Sequence, residues 1–318
     1  MRAVRVHHVG GPSVLQVDDV PEPGEPKGDE IVVQVAAASI NGTDLGLRRG
    51  DLEVALLGRM PFTLGFDIAG TVVRCGPKVT AFAVGDRVMA LLGHGGGGQA
   101  DLVVLRQSRA ARVPDSCALT EAAALPLAGL TALQALHGRA HLHARRSGSR
   151  VLVVGAAGGI GSYAVQLAKL SGAHVTAFAT RSKLHRAAAL GADELIGRDE
   201  GDVGDLGRQW DVVLDCPGSL TMSSTRRALS PDGVLVSTRP ISRDALLGRS
   251  PFGSRPGQPR FTAVATRARS QDLAHLAALV ASDRLLSPVD RVYPVAEATG
   301  AHLHAEGAAT GKVVLELA

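Results

Sequence analysis

The clearest chemistry in the sequence lies in RVLVVGAAGGIGS, residues 150–162: an apolar run, a glycine-rich turn and the start of a helix. A strand that turns sharply into a helix needs positive φ angles, which glycine adopts without steric cost. Small residues let a pyrophosphate approach the backbone, and the helix start offers unpaired N–H groups and partial positive charge. Gly155, Ala157, Gly158, Gly159, Ile160 and Gly161 are therefore the candidate phosphate-binding residues. The plain alternative is an ordinary strand-to-helix turn. The unbroken Val151–Val154 run before it and the helical spacing of YAVQLAKL (163–170) after it favour a dinucleotide.

The second signal is a missing charge. No Asp or Glu occurs between Glu121 and Asp193. A site for NAD would carry a carboxylate at the end of the second strand, about 20 residues beyond the glycine turn, to bond the ribose hydroxyls. That strand is predicted at 173–179 (AHVTAFA), and Thr180, Arg181, Ser182 and Lys183 follow it. Two cations and two hydroxyls suit a 2′-phosphate through charge-assisted hydrogen bonds. Arg181 and Lys183 could instead be solvated surface, but cations at a helix start are unfavourable without a nearby anion. The predicted cofactor is NADPH.

These residues need a scaffold, and the chain changes texture to supply one. The first ~120 residues read as short strands punctuated by Gly, Pro and Asp, including 30–37, 68–75 and 86–91. TEAAALPLAGLTALQALH, from Thr120, reads as a helix capped by Thr120 and broken at Pro126. Strands and helices then alternate, with strands at or near Val151, Ala173, Leu195, Val212 and Val234, the rhythm of a parallel sheet. WDVVLDCPG (210–218) is a strand ending in a turn at the sheet edge where ligands sit. Residues 237–260 read as a long loop with a short helix, of the kind that serves function. A strand near Phe261, a helix near 273–282 and a closing strand at 311–317 complete the chain.

At 318 residues there is room for two cores. Net charge is +4, and aromatics at 3% leave no stacking platform for single-stranded nucleic acid, so nucleic acid is not an expected partner. No apolar run approaches the ~20 residues needed to span a bilayer. Cys75, Cys117 and Cys216 are widely spaced, without a CxxC pair, and read as buried thiols. The expected location is the cytoplasm.

MPFTLGFDIAGTVVRCGPKVTAFAVGDRVMAL (60–91), EAAALPLAGLTALQAL (121–136), VLVVGAAGGIGSYAVQLAKLSGAHV (151–175), LGAD (190–193) and GKVVLEL (311–317) together carry a family likeness. The chain resembles the medium-chain dehydrogenase/reductase superfamily, and within it the zinc-free NADPH:quinone oxidoreductases. The resemblance implies an α/β architecture: a GroES-like β-rich catalytic domain from residues 1–124 and 262–318, and a Rossmann doubly wound domain at 125–261. It places the active site in the cleft between them and suggests a homodimer.

The alcohol dehydrogenases of the superfamily use zinc. Their ligand positions match Asn41, Phe66 and a residue near Leu127, none of which can bind it, and His94 sits in a glycine run. The resemblance therefore implies hydride transfer without a metal. Quinones and α,β-unsaturated carbonyls accept hydride in this way, with the charge landing on an oxygen. It places Asn41 and Asp44 near the nicotinamide: the Asn41 amide as a donor to that oxygen or to the ribose, and Asp44 as a residue that fixes local structure. Thr131 resembles the family threonine beside the ring, or is a helix-interior threonine bonded to its own backbone. Arg198 stands where relatives often carry a tyrosine near the adenine, and Lys312 where a cation is often brought toward the cofactor.

The run GGGGQADL (95–102) suggests a roomy or mobile cleft for a bulky acceptor. Tyr163 and Tyr293 are the only tyrosines, which argues against a tyrosine proton donor and leaves protonation to water. Three functions fit: a quinone or enone reductase acting on a small molecule (EC 1.6.5 or 1.3.1 type), an enoyl reductase tailoring a polyketide or other secondary metabolite, or a non-catalytic NADPH-binding sensor or structural protein.

Overall fold

The computed structural model describes residues 1–51, 60–93, 95–239 and 257–317. Their packing divides into two units, 1–130 with 268–318 and 131–267.

The first unit opens with β1 (Arg2–Val6) and β2 (Leu15–Asp19), an antiparallel pair that β4 (Phe62–Thr63) extends on the other side of β1. Its main sheet is built on β3 (Glu30–Ile40), whose apolar residues Ile31–Val33, Val35, Ala37, Ala38 and Ile40 are buried. β5 (Asp67–Cys75), β6 (Arg87–Leu91), β7 (Leu102–Arg106) and β8 (Ala110–Arg112) join it antiparallel.

Between β3 and β4 runs α1 (Gly42–Arg49), closed by Gly50 at φ 94° with Arg48 and Arg49 in its last turn, where cations complement the helix dipole. α2 (Leu119–Ala123) begins one residue before Thr120. Thr120 is therefore not its cap; the Glu121 carboxylate takes the exposed Ala118 N–H at 3.3 Å instead. The break at Pro126 is present, since α3 (Pro126–Leu133) starts there.

The second unit is a six-stranded parallel sheet among the described residues. Its strands are β9 (Arg150–Val154), β10 (His174–Ala179), β11 (Glu194–Gly197), β12 (Trp210–Asp215), β13 (Leu229–Ser237) and β14 (Arg260–Ala263). The spatial order is β11-β10-β9-β12-β13-β14, so the chain reverses direction across the sheet between β9 and β12. Val151–Val154 are buried, as a strand covered on both faces requires. α4 (Gly159–Leu170) and α5 (Leu184–Ala189) are the crossover helices, and α6 (Met222–Thr225) is one short turn. Leu152, Val154, Phe178, Ile196, Trp210, Val213 and Leu235 form one apolar cluster. The functional loop expected at 237–260 lies mostly outside the described residues, as does His94.

The chain then returns to the first unit through α7 (Ser270–Ala281), β15 (Val289–Pro294), α8 (Ala298–Gly307) and β16 (Lys312–Glu316). β16 pairs antiparallel with β3, which sets Val313 opposite Ile40 and brings Lys312 to the end of that strand.

Candidate active site

In the second unit the glycine turn sits where the parallel sheet reverses, the crevice that ligands occupy in doubly wound sheets. Gly155 has φ 74°, and its N–H and that of Ala156 are held by Phe178 O at 2.8 and 3.4 Å. Gly158 precedes α4 without a side-chain cap, and the first turn of α4 contains no acidic residue. The N–H groups of the first turn of α4 and the helix dipole suit an anion at this end of the helix. A Cβ at Gly161 would lie 2.1 Å from Gly155 O, so the helix closes on the turn only because residue 161 is glycine. Across the reversal, Cys216 and Pro217 from the end of β12 face Gly155, with Pro217 Cδ 3.1 Å from where its Cβ would be. Asp215, buried at the same strand end, accepts the N–H groups of Gly218 (3.0 Å) and Leu220 (2.7 Å) and shapes this wall. The turn predicted for WDVVLDCPG is thus present.

Thr180 and the single helical turn Arg181–Lys183 follow β10, with Lys183 N bonded to Thr180 O at 2.8 Å. Thr180, Arg181 and Ser182 are exposed, and Lys183 is half-buried. Arg198, also exposed, opens the turn after the neighbouring strand β11. Arg181 is held by two carboxylates of that turn: Nε donates to Asp199 at 2.8 Å and an Nη to Glu200 at 3.3 Å. The carboxylate-free stretch of the sequence is therefore not carboxylate-free in space.

The first unit gathers Asn41, Asp44 and Lys312 around a residue that sequence reasoning missed, Asp67. Ser39, Asp44, Asp67 and Lys312 are all buried. Asp67 accepts from Ser39 Oγ (2.8 Å), Asn41 Nδ2 (3.0 Å) and Leu127 N (2.8 Å). The Lys312 ammonium lies 3.5 Å from Asp67, donates to Ile40 O at 3.2 Å and bonds Asn41 Oδ1. Burial lowers the Lys312 pKa, and the carboxylates of Asp67 and Asp44 oppose that.

Two expectations change here. The Asn41 amide is not a spare donor, because its N–H groups go to Asp67 and to Ser39 O (3.4 Å). Lys312 turns inward to this network rather than toward an open site. The positions that the resemblance matches to zinc ligands supply a carboxamide already bonded to an ammonium, a phenyl ring and an alkyl chain. Such a set does not suit zinc.

Asp44 fixes local structure. At the third position of α1 it accepts Asn41 N, and its other oxygen accepts Gly65 N, both at 2.8 Å. Burial pushes its pKa up to about 6 against the pull of those two N–H groups; Asp67 adds to the rise and Lys312 opposes it. A carboxyl raised on folding stabilises most when protonated. Its contribution is full below the ordinary carboxylate range and is lost as pH rises through about 6. The rise corresponds to roughly 3 kcal/mol. Asp44→Asn is therefore expected to flatten the stability profile between about pH 4 and 6. Denaturant titrations at several pH values measure this, and an unchanged slope would refute it.

Thr131 in α3 is buried, and its hydroxyl meets that of Thr266 at 2.6 Å, a partner outside its own helix. The glycine run is packed in part against its neighbours. Gly97, Gly98 and Gln99 bond through their N–H groups to Thr63, Gly65 and Leu64 carbonyls at 3.1, 2.9 and 2.9 Å. A Cβ at Gly98 would stand 2.6 Å from Ile68 Cγ2. Close approach is what Gly96 and Gly98 serve, whereas a Cβ at Gly95 or Gly97 would meet nothing within 4 Å. Tyr163 is fully buried in α4, as packing requires.

Residues 27–115 match the alcohol dehydrogenase GroES-like domain, and residues 190–315 match the family described as zinc-binding dehydrogenase. The chain is 33% identical over 315 residues to the chloroplast envelope quinone oxidoreductase homolog of Arabidopsis thaliana, covering 96% of this chain and 95% of that one. The quinone oxidoreductase structure from Coxiella burnetii superposes with a TM-score of 0.90 at 29% identity, over 100% of this chain and 99% of that one. A mycobacterial protein solved in complex with NADPH superposes with a TM-score of 0.82 at 27% identity, over 100% of both chains. With its GroES-like unit, its doubly wound sheet and these relatives, the chain belongs to the medium-chain dehydrogenase/reductase superfamily as an NAD(P)H oxidoreductase homologous to the quinone oxidoreductases.

Proposed function

We propose that the protein is a zinc-independent reductase that uses NADPH to reduce a quinone or an α,β-unsaturated carbonyl. The observation that carries this is the glycine cradle at the sheet reversal followed by cations in place of the ribose-binding carboxylate. When bound, the cofactor supplies hydride. The backbone N–H groups at the start of α4 hold its pyrophosphate, and Gly161 lets that helix approach. Thr180, Arg181, Ser182 and Lys183 would supply the donors for a 2′-phosphate, and Arg198 would lie near the adenine. The NADPH seen with the mycobacterial relative supports the same choice.

Zinc independence is supported by the chemistry of the ligand positions: Asn41 is committed to Asp67 and Lys312, and Phe66 and Leu127 offer no donor atom in their side chains. Asn41 and Asp44 act as positioning residues, holding the end of β3, the start of α1 and the Gly65 turn in one geometry. With the Asn41 amide and the Asp44 carboxyl committed to these contacts, the oxygen that gains charge would take its proton from water. Thr131 is the residue retained as a neighbour of the nicotinamide. The protein would act as a cytoplasmic homodimer: Cys75, Cys117 and Cys216 are free thiols, as suits a reducing compartment, and the resemblance suggests the dimer.

A panel of quinones, enones and enoyl thioesters assayed with NADPH tests the acceptor. Turnover of quinones or simple enones is expected. Activity confined to thioesters would make the protein an enoyl reductase, and no turnover with any acceptor would make it a binding protein.

A further inference from the structure

The carboxylates that hold Arg181 occupy the hydrogen-bonding edge that a 2′-phosphate would need. Asp199 Oδ2 takes the Nε–H at 2.8 Å, and Glu200 Oε1 takes an Nη–H at 3.3 Å while also accepting Gly197 N at 2.8 Å. The two acids differ in how firmly they are held. Glu200 is anchored to the backbone at the end of β11. Asp199 reaches Arg181 by folding back over Gly197, where a Cβ would stand 2.2 Å from Asp199 Oδ1. The absence of a side chain at residue 197 gives the Asp199 carboxylate room in this position. Arg181 and Asp199 are 64% and 58% exposed, so the pair faces water and can exchange partners.

We propose that Asp199 is a built-in competitor for the cofactor phosphate. In the free protein its carboxylate stands in for the 2′-phosphate on Arg181, and NADPH binds by displacing it. Glu200 stays in place and keeps the guanidinium oriented. The inference rests on the NADPH assignment and adds a residue that sets how tightly NADPH is held relative to NADH. NADH, lacking the phosphate, gains nothing from the exchange.

Binding of NADPH and NADH to the wild type and to Asp199→Asn, followed by quenching of the Trp210 emission or by calorimetry, separates the two claims. The cofactor assignment is read from the wild type alone and fails if NADH binds as tightly as NADPH. The Asp199 inference is read from the variant. It expects NADPH to bind about two- to fivefold more tightly than to the wild type, the range set by an exposed ion pair, with NADH unchanged. Weaker NADPH binding by Asp199→Asn would show that Asp199 positions Arg181, and equal binding would show that it does neither; both overturn the inference. Glu200→Gln, which keeps an oxygen for the Gly197 N–H but loses the charge that orients Arg181, is expected to weaken NADPH rather than tighten it; tightening there would overturn the inference by assigning the competitor role to the other acid.

Discussion

Lys183→Glu is expected to raise the KM for NADPH by about 10- to 100-fold, the range of one charge-assisted hydrogen bond lost and a repulsion gained. The KM for NADH is expected to stay within about twofold, because no phosphate meets the new carboxylate. The turn that carries the residue closes through Lys183 N and Thr180 O, a backbone bond that the substitution leaves intact. Misfolding is therefore not the expected cause. Steady-state kinetics with both cofactors and one acceptor measure the split. Equal effects on the two cofactors would show that Lys183 does not touch the 2′-phosphate.

The second large effect is on stability. Lys312→Met removes the ammonium from a network in which Asp67 and Lys312 are 0% and 3% exposed in their side chains. Leaving one member of a buried pair without the other costs about 3–5 kcal/mol. Ser39, Asn41 and Leu127 still donate to Asp67, so the lower end, about 3 kcal/mol, is expected. Adding Asp67→Asn to Lys312→Met is expected to cost less than the two single losses summed, since the removed charges compensated each other. Denaturant unfolding of the four proteins gives the cycle. A loss below about 1 kcal/mol for Lys312→Met would place the ammonium outside the energetics of the fold.

The architecture was legible because each unit writes its period into the chain. The strand at 30–40 and the apolar run at 151–154 are continuous enough to show burial, and the glycines at 155, 158 and 161 are spaced by a turn only a strand and a helix can flank. What escaped was contact between distant residues. Asp67 draws donors from residues 39 and 41, from 127 and from 312, three segments with no local pattern in common. Asp199 meets Arg181 only because β11 lies beside β10, so an acid remote in sequence stands next to the cation. The glycine run at 95–98 suggested open space, and Gly95 and Gly97 have it, whereas Phe62, Thr63, Gly65 and Ile68 crowd Gly96 and Gly98. Glycine marks both situations, and only tertiary packing tells them apart. Thr120 failed as a cap for a smaller reason, since Glu121 reached the chain end of the helix first.

NADPH is expected to be the hydride donor, and reduction is expected to need no metal. Both are tested in one assay: oxidation of NADPH and of NADH by 9,10-phenanthrenequinone, with protein dialysed against a chelator. The predicted result is retained turnover with a higher kcat/KM for NADPH than for NADH. Turnover that needs added zinc, or a kcat/KM for NADH equal to or above that for NADPH, would contradict it.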